Sequence, residues 1–378
     1  MRSDFLVIGG GIAGASAGYF LAESGRVTVL EMEPTAGYHS TGRSAALFSE
    51  YYGNSVVRAL TAASRPFFEA PPPGFTGPLL SPRGVLALGP RGAEDRFAEV
   101  LAAGLTAPVP VRELGPGEAQ QHCPVVRPEW FSRAMLKPAA MDIDVDALHQ
   151  GFLRGIRARG GQVLRSARLR SLTRRGGAWR ADTAAGEFAA EIVVNAAGAW
   201  ADEVAQLAGV RPVGLTPLRR TAFTVAAPEG NGAGPAGGVA GWPMVADVTE
   251  TFYFKPESGR LLVSPADATP VAPGDARPDD LDVARAIDRV QAATTLVIRH
   301  VQRAWAGLRC AVPDDTPVVG GEPDADGFCW LAGLSGYGIQ TSPAVGQLAA
   351  ALAVGSGVRP AGLAAGFDLT AIAPGRCY

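Results

Sequence analysis

Residues 4–31 read DFLVIGGGIAGASAGYFLAESGRVTVLE. A short apolar run, 4–8, leads into Gly9-x-Gly11-x-x-Gly14. A helical pattern fills 13–24, and a second strand runs from Val27 to Glu31. This is a βαβ opening, and each glycine in it has its own task. The first permits a tight turn, the second lets the backbone approach a pyrophosphate, and the third lets helix and strand pack closely, with the helix N-terminus facing the phosphates. Glu31, at the end of the second strand, is placed to accept hydrogen bonds from an adenosine ribose. The glycines also interrupt the apolar stretch, and Asp4 precedes it, which argues against a secretory signal.

Composition fits this reading. The chain has 378 residues, 47% hydrophobic and 19% charged, with a net charge of -2. Such a chain reads as soluble and globular, with a prior of two or three domains. The charge and a pI near 6.1 argue against nucleic acid as a partner. No run of about 20 apolar residues predicts a membrane span; peripheral membrane contact and oligomeric state stay open. Four cysteines (Cys123, Cys310, Cys329, Cys377) and four histidines form no cluster, so no metal site is expected and the cysteines read as thiols in a cytoplasmic protein.

Beyond the opening, helices are expected near 55–68, 93–104, 145–159 (capped by Asp144 or Asp146), 281–296 and 341–354. Strands are expected at 85–88, 162–172, 178–182, 191–196, within 213–265, at 316–320 and at 328–332. The fold class is α/β (α+β), a Rossmann-like dinucleotide domain with a second, mainly antiparallel β domain for substrate. The dinucleotide domain comprises 1–80, 145–212 and 301–378, and the substrate domain 81–144 and 213–300.

Three further motifs carry chemistry. Tyr38-His39-Ser40-Thr41-Gly42-Arg43-Ser44-Ala45-Ala46 is either a polar loop or a cradle for a second phosphate and the edge of a planar ring. Val193–Trp200 ends a buried strand in small residues around Gly198, suiting close backbone approach. Trp305-Ala-Gly-Leu-Arg309 is followed by Gly336-Tyr337-Gly338-Ile339-Gln340, a glycine turn before the last helix, whose N-terminus offers partial positive charge to a polar cofactor edge.

The order of these motifs resembles the FAD-dependent amino acid oxidoreductases of the D-amino acid oxidase and glycine oxidase family, and within it the bacterial D-arginine dehydrogenases. The resemblance spans nearly the whole chain through GYHSTGRSAA (37–46), LTAASR (60–65), DALHQGFLRGIR (146–157), VVNAAGAWAD (193–202), WAGLR (305–309) and GYGIQTS (336–342). It implies non-covalent FAD and hydride transfer from a substrate Cα to flavin N5, giving an imino acid that hydrolyses to a 2-oxo acid and ammonia. By position it implies FAD against Gly9, Gly11, Ala13, Gly14, Glu31 and Met32. Ser40, Thr41, Gly42, Arg43, Ser44, Ala45 and Ala46 would wrap the pyrophosphate and flavin ring. Leu169 would meet the adenine, with Gly198 close by. Arg309 and Gly336, Tyr337, Gly338, Ile339 and Gln340 would face the flavin.

The same resemblance implies that Arg220, Tyr253 and Arg309 hold a substrate carboxylate, with Tyr52, Leu47, Val85, Met244, Ala246, Gly336 and Gln340 lining the pocket. An arginine fork suits a carboxylate, and a tyrosine hydroxyl adds a donor. Arg219 adjoins Arg220, which leaves open which of the two points inward. The chain departs from the D-arginine dehydrogenase pattern in two places: Leu47 replaces a histidine and Val85 a glutamate. Without that glutamate a cationic side chain lacks its partner, so the expected substrate is a D-amino acid with an uncharged side chain, although Glu50 is a candidate replacement. Lys137 and Lys255, the chain's two lysines, are each followed by proline and lie outside the flavin motifs. A quinone-like electron acceptor is therefore favoured over O2. Cys310 reads as a buried thiol rather than a flavin attachment point. Alternatives are a 2-hydroxy acid or N-substituted amine as substrate, a flavoprotein subunit of a larger amine dehydrogenase, or a non-enzymatic nucleotide binder.

Overall fold

The structure, a computed structural model, describes residues 1–228 and 238–378. Phe5–Ile8 lies inside a six-stranded sheet, pairing in parallel with Val27–Leu30 on one side and Ile192–Asn195 on the other. Gln162–Leu164 and Phe328–Ala332 extend the parallel array, and antiparallel Val318–Gly321 closes one edge. These strands are apolar on both faces because both are covered. Helices Ile12–Leu21, Val145–Ala158 and Gly338–Val354 pack on one face, joined by Ser55–Glu69. The other face is covered by an antiparallel meander, Leu169–Arg175, Ala178–Thr183 and Gly186–Ala190, and by helix Ala201–Leu207. The first and last long helices cross where Gly346 meets Ser16; a Cβ on Gly346 would lie 2.7 Å from the serine Cβ, so glycine sets this contact.

A nine-stranded sheet forms the second layer. Thr216–Ala226 pairs on one edge with Arg303–Ala311 and on the other with Thr269–Pro270 and Arg260–Ser264. The sheet continues through Tyr253–Glu257, Met244–Asp247, Val85–Pro90, Phe131–Lys137 and Arg112–Leu114. Its back face packs Phe223, Val225, Leu261 and Val263 against helix Asp280–Ala293. Its front face carries Ala222, Tyr253, Leu262, Met244 and Ala246. That face looks onto a cavity, and the loops after the parallel strands form the cavity's other wall.

Several expectations are corrected. The strand expected over 162–172 is two strands in different sheets, because Ser166 turns the chain through a left-handed conformation (φ 53°) between them. Arg303–Ala311 lies within the stretch assigned to the dinucleotide domain, yet it pairs along its length with the substrate-side strand Thr216–Ala226. The last helix starts at Gly338 rather than 341, with Pro343 inside it. Proline cannot donate to the carbonyl of Ile339, and the Ser342 hydroxyl donates to that carbonyl instead (2.9 Å). Helix 145–158 matches expectation, with the Asp144 carboxylate accepting from the Ala147 N–H. The part of the β-rich stretch 213–265 at positions 229–237 lies outside the described residues.

Candidate active site

The cavity measures about 740 Å³ and runs between the two layers. At one end it is walled by the βαβ opening. Gly9 has φ 107°, and a Cβ there would lie 2.4 Å from the Ala196 carbonyl oxygen; one on Gly14 would lie 1.9 Å from that of Gly9. Both positions therefore admit only glycine, and the turn brings the start of helix Ile12–Leu21 to the cavity. The Thr41 hydroxyl accepts from the Ile12 N–H (3.0 Å), tying the 38–46 segment to this helix start.

Glu31 is buried, and its carboxylate accepts from the Gly10 N–H (2.9 Å) and the Glu33 N–H (2.8 Å). Burial raises its pKa above the usual carboxylate range, against the pull of those two N–H groups. Each carboxylate oxygen keeps acceptor capacity for a further donor. His39 stacks at a tilt on Trp200, bonds to Glu33 through Nε2 (3.0 Å), and leaves Nδ1 buried without a partner. This end thus combines a glycine cradle, a helix N-terminus, an acidic acceptor and an unfilled ring nitrogen, a donor and acceptor set that fits a dinucleotide.

The 38–46 segment is clamped to strand Arg303–Ala311. The Ser40 hydroxyl donates to the Leu308 carbonyl (2.7 Å), and the Trp305 indole N–H donates to that of Arg43 (3.0 Å). The Arg43 guanidinium donates to the Ala306 and Ala276 carbonyls and to Asp275. Its charge is therefore engaged by protein, and it holds the loop rather than standing free for a phosphate.

At the other end, Arg220, Tyr253, Arg309 and Tyr52 converge. Strand alternation separates the two adjacent arginines: Arg219 is bound by Asp267 (3.4 Å) and Asp282 (2.8 Å), whereas Arg220 faces the cavity. No acid pairs with Arg220 or Arg309 among the described residues. The sole hydrogen bond from the Arg309 guanidinium among those residues goes to the Tyr52 hydroxyl (3.1 Å), and Arg220 Nε is buried without a partner. Burial and the charge of Arg309 push the Arg220 pKa down. Burial also works against the charge on Arg309, but Tyr52 and Tyr253 beside it hold its pKa above that of a free guanidinium. Gly336 backs this group: a Cβ there would lie 2.8 Å from Arg309 Cζ. Tyr52 packs edge-on against Tyr337 at 4.9 Å, and the Tyr337 hydroxyl donates to Asp315 (2.6 Å). Two adjacent guanidiniums with so few acceptors need an anion, and a carboxylate supplies one.

Of the residues expected at the cofactor, Gly9, Gly11, Ala13, Glu31, Met32, Ser40, Thr41, Arg43, Ser44, Ala45, Ala46, Leu169, Gly198, Arg309, Gly336, Tyr337, Gly338 and Ile339 line the cavity. So do Leu47, Val85, Met244 and Ala246. Gly14 lies beneath the turn, and Gly42, whose N–H donates to the Gly37 carbonyl, is not in the lining. Gln340 is not in the lining: its side chain accepts from the Ser49 N–H (3.0 Å) and donates to Thr61 (2.9 Å), bracing the wall behind. Glu50 is held by Arg65 (2.6 Å), so it replaces no acidic pocket residue. Lys137, which belongs to none of the flavin motifs, also lines the cavity. His39 and Lys137 were not legible as site residues; the GYHSTGRSAA segment held the one signal for His39, and none marked Lys137.

Comparisons with known proteins agree with this geometry. A family model described as FAD dependent oxidoreductase (DAO) matches residues 4–352. Glycine oxidase of Geobacillus kaustophilus is 25% identical over 93% of this chain and 93% of its own length. Human mitochondrial dimethylglycine dehydrogenase is 24% identical over 92% of this chain. The chain spans 42% of that protein and 35% of the bovine FAD-dependent oxidoreductase domain-containing protein 1, to which it is 32% identical over 180 residues. In fold it is similar to the solved glycine oxidase from Geobacillus kaustophilus (TM-score 0.82, 23% identity, 98% of each chain) and to L-proline dehydrogenase from P. horikoshii (TM-score 0.79, 22% identity, 95% of each chain). No helix among the described residues is long and apolar enough to cross a membrane.

Proposed function

The chain belongs to the DAO family of FAD-dependent oxidoreductases, and from that premise we propose that it oxidises a free amino acid at its Cα–N bond, with the substrate carboxylate held by Arg220 and Arg309. One observation carries the reading: two neighbouring guanidiniums line the cavity without an acid partner among the described residues, one of them with a buried Nε that donates to nothing. Tyr52 and Tyr253 complete the clamp. The products are an imino acid, then a 2-oxo acid and ammonia by hydrolysis. The D-configuration rests on the resemblance to D-arginine dehydrogenases.

When bound, FAD supplies the acceptor for the two electrons that leave the substrate. The protein's own groups bind and orient. Gly9, Gly11 and the start of helix Ile12–Leu21 would take the pyrophosphate, and Glu31 the ribose. The backbone from Gly336 to Ile339, at a helix N-terminus, would face the ring edge of FAD. The clamp fixes the substrate at one end, leaving its amine free to lose a proton to solvent. Burial pushes the Cys310 thiol up to about 12, so it stays neutral and a poor nucleophile, consistent with FAD held non-covalently.

Dehydrogenase action with a quinone-like acceptor, rather than O2, is part of this reading, as is a cytoplasmic location. D-Arginine and D-lysine should be poor substrates, because neither Leu47 nor Val85 offers a carboxylate and Lys137 adds repulsion. N-substituted amines form a second class, in keeping with the name of the relative dimethylglycine dehydrogenase. The test is anaerobic mixing with D- and L-amino acids, N-methylated amino acids and 2-hydroxy acids, reading loss of flavin absorbance and ammonia. Bleaching with ammonia release supports the amino acid reading; bleaching by 2-hydroxy acids alone contradicts it.

A further inference from the structure

The carboxylate clamp leaves Lys137, a further cation lining the cavity, without a role. Lys137 ends strand Phe131–Lys137 and stands directly opposite Val85, which pairs on its other side with Met244. Cross-strand partners share a face, their Cβ atoms about 5 Å apart. Lys137 therefore stands in one row with Val85 and Met244, and all three line the cavity. Its ammonium makes no hydrogen bond or ion pair among the described residues. The chain's other lysine, Lys255, is held by Asp142 (2.8 Å) and Glu257 (3.0 Å).

The acids lining this end are mostly engaged. Asp247 accepts from the hydroxyls of Thr249 (2.6 Å) and Thr251 (2.7 Å) and from the Thr251 N–H. Glu99 is paired with Arg96 (2.7 Å). Glu250, exposed, is the one free carboxylate acting on both Arg309 and Lys137. Arg220, Arg309 and Lys137 thus outnumber it. The single carboxylate of a neutral amino acid would leave a positive excess beside the apolar row of Val85 and Met244, where water screens charge poorly.

We propose that the substrate carries a second acidic group and that Lys137 holds it, while Arg220 and Arg309 hold the first. The substrate class is then an acidic amino acid or an amine bearing two carboxylates. The proposal rests on the carboxylate clamp and narrows it. It replaces the uncharged side chain suggested by Leu47 and Val85: the wall that lacks a carboxylate for a cationic substrate presents a cation to an anionic one.

The test titrates the FAD-loaded protein with glutarate and with butyrate, which differ by one carboxylate, by isothermal calorimetry. In the wild type glutarate should bind about tenfold tighter or more. In Lys137→Gln the ratio of the two dissociation constants should fall toward one, and in Lys137→Arg it should be largely restored; flavin content reports that each variant is folded. A wild-type ratio near one, or a ratio unaffected by Lys137→Gln, overturns the proposal, while butyrate binding keeps the clamp standing. Binding of neither acid overturns both.

Discussion

At the Gly9–Glu31 end of the cavity, recognition rests on backbone: glycines that no other residue can replace, a helix start, and one carboxylate already positioned by two N–H groups. At the Arg220–Arg309 end it rests on side chains from different strands, held in place yet short of acceptors. The first end is shaped to receive something of fixed form and is largely satisfied without it. The second stores unsatisfied charge, which favours an anion there. The contrast separates what fold dictates, a dinucleotide at a βαβ turn, from what the individual chain dictates, the identity of the substrate.

Substitutions at the two ends should therefore fail differently. Gly14→Ala is expected to have the largest effect, because its Cβ would enter the Gly9 carbonyl and only backbone movement relieves that. It should cost about 4 kcal/mol or more, read as loss of flavin and a lowered Tm together. Arg309→Met should keep flavin and fold but lose roughly 2–5 kcal/mol of substrate binding by leaving the carboxylate without its partner, read from kcat/KM. Undiminished kinetics would remove Arg309 from the site.

Gly336→Ala sharpens the comparison, since it disturbs the clamp without touching its charge. The new Cβ displaces the Arg309 guanidinium, so KM should rise about tenfold, some 1.4 kcal/mol, with flavin content normal.

Glu31→Gln should be mildest, weakening FAD retention by about 1 kcal/mol. It also carries a pH signature. Glu31 has a raised pKa through burial, so acidification through that value protonates it and weakens its acceptor role toward FAD. FAD affinity should fall as pH drops, and less steeply in Glu31→Gln. Without cofactor the sign reverses: a carboxyl raised on folding contributes stability that is fully present below its unfolded pKa and is lost as pH rises through the folded one. Equal pH slopes in wild type and Glu31→Gln would remove this role.

The two ends also differ in how far the sequence discloses them. The glycine turn, Glu31 and the Ser40–Ala46 segment sit in contiguous stretches whose spacing carries the geometry, and they line the cavity apart from the supporting Gly14 and Gly42. Helix 145–158 is equally legible, since Asp144 marks its start and its apolar face repeats at helical spacing. The substrate end is assembled by register. Arg220 and Arg219 are indistinguishable in sequence, and strand alternation sends one to the cavity and the other to Asp267 and Asp282. Lys137 precedes a proline at a strand end, and its pairing with Val85, 52 residues earlier, is invisible until the sheet is known. Arg43 and Gln340 fail in the opposite way: each sits inside a legible motif, yet its side chain is occupied by long-range partners such as Ala306 and Ser49.

The central claim is that the Arg220–Arg309 pair binds the carboxylate of a reacting amine. It is tested most directly by anaerobic bleaching of the flavin with an amino acid that reduces it and with the amine left when that amino acid's carboxylate is deleted. The account predicts rapid bleaching by the first and bleaching slower by about a hundredfold or more by the second, a loss near 3 kcal/mol, with the difference abolished in Arg309→Met. Equal rates in the wild type would contradict it.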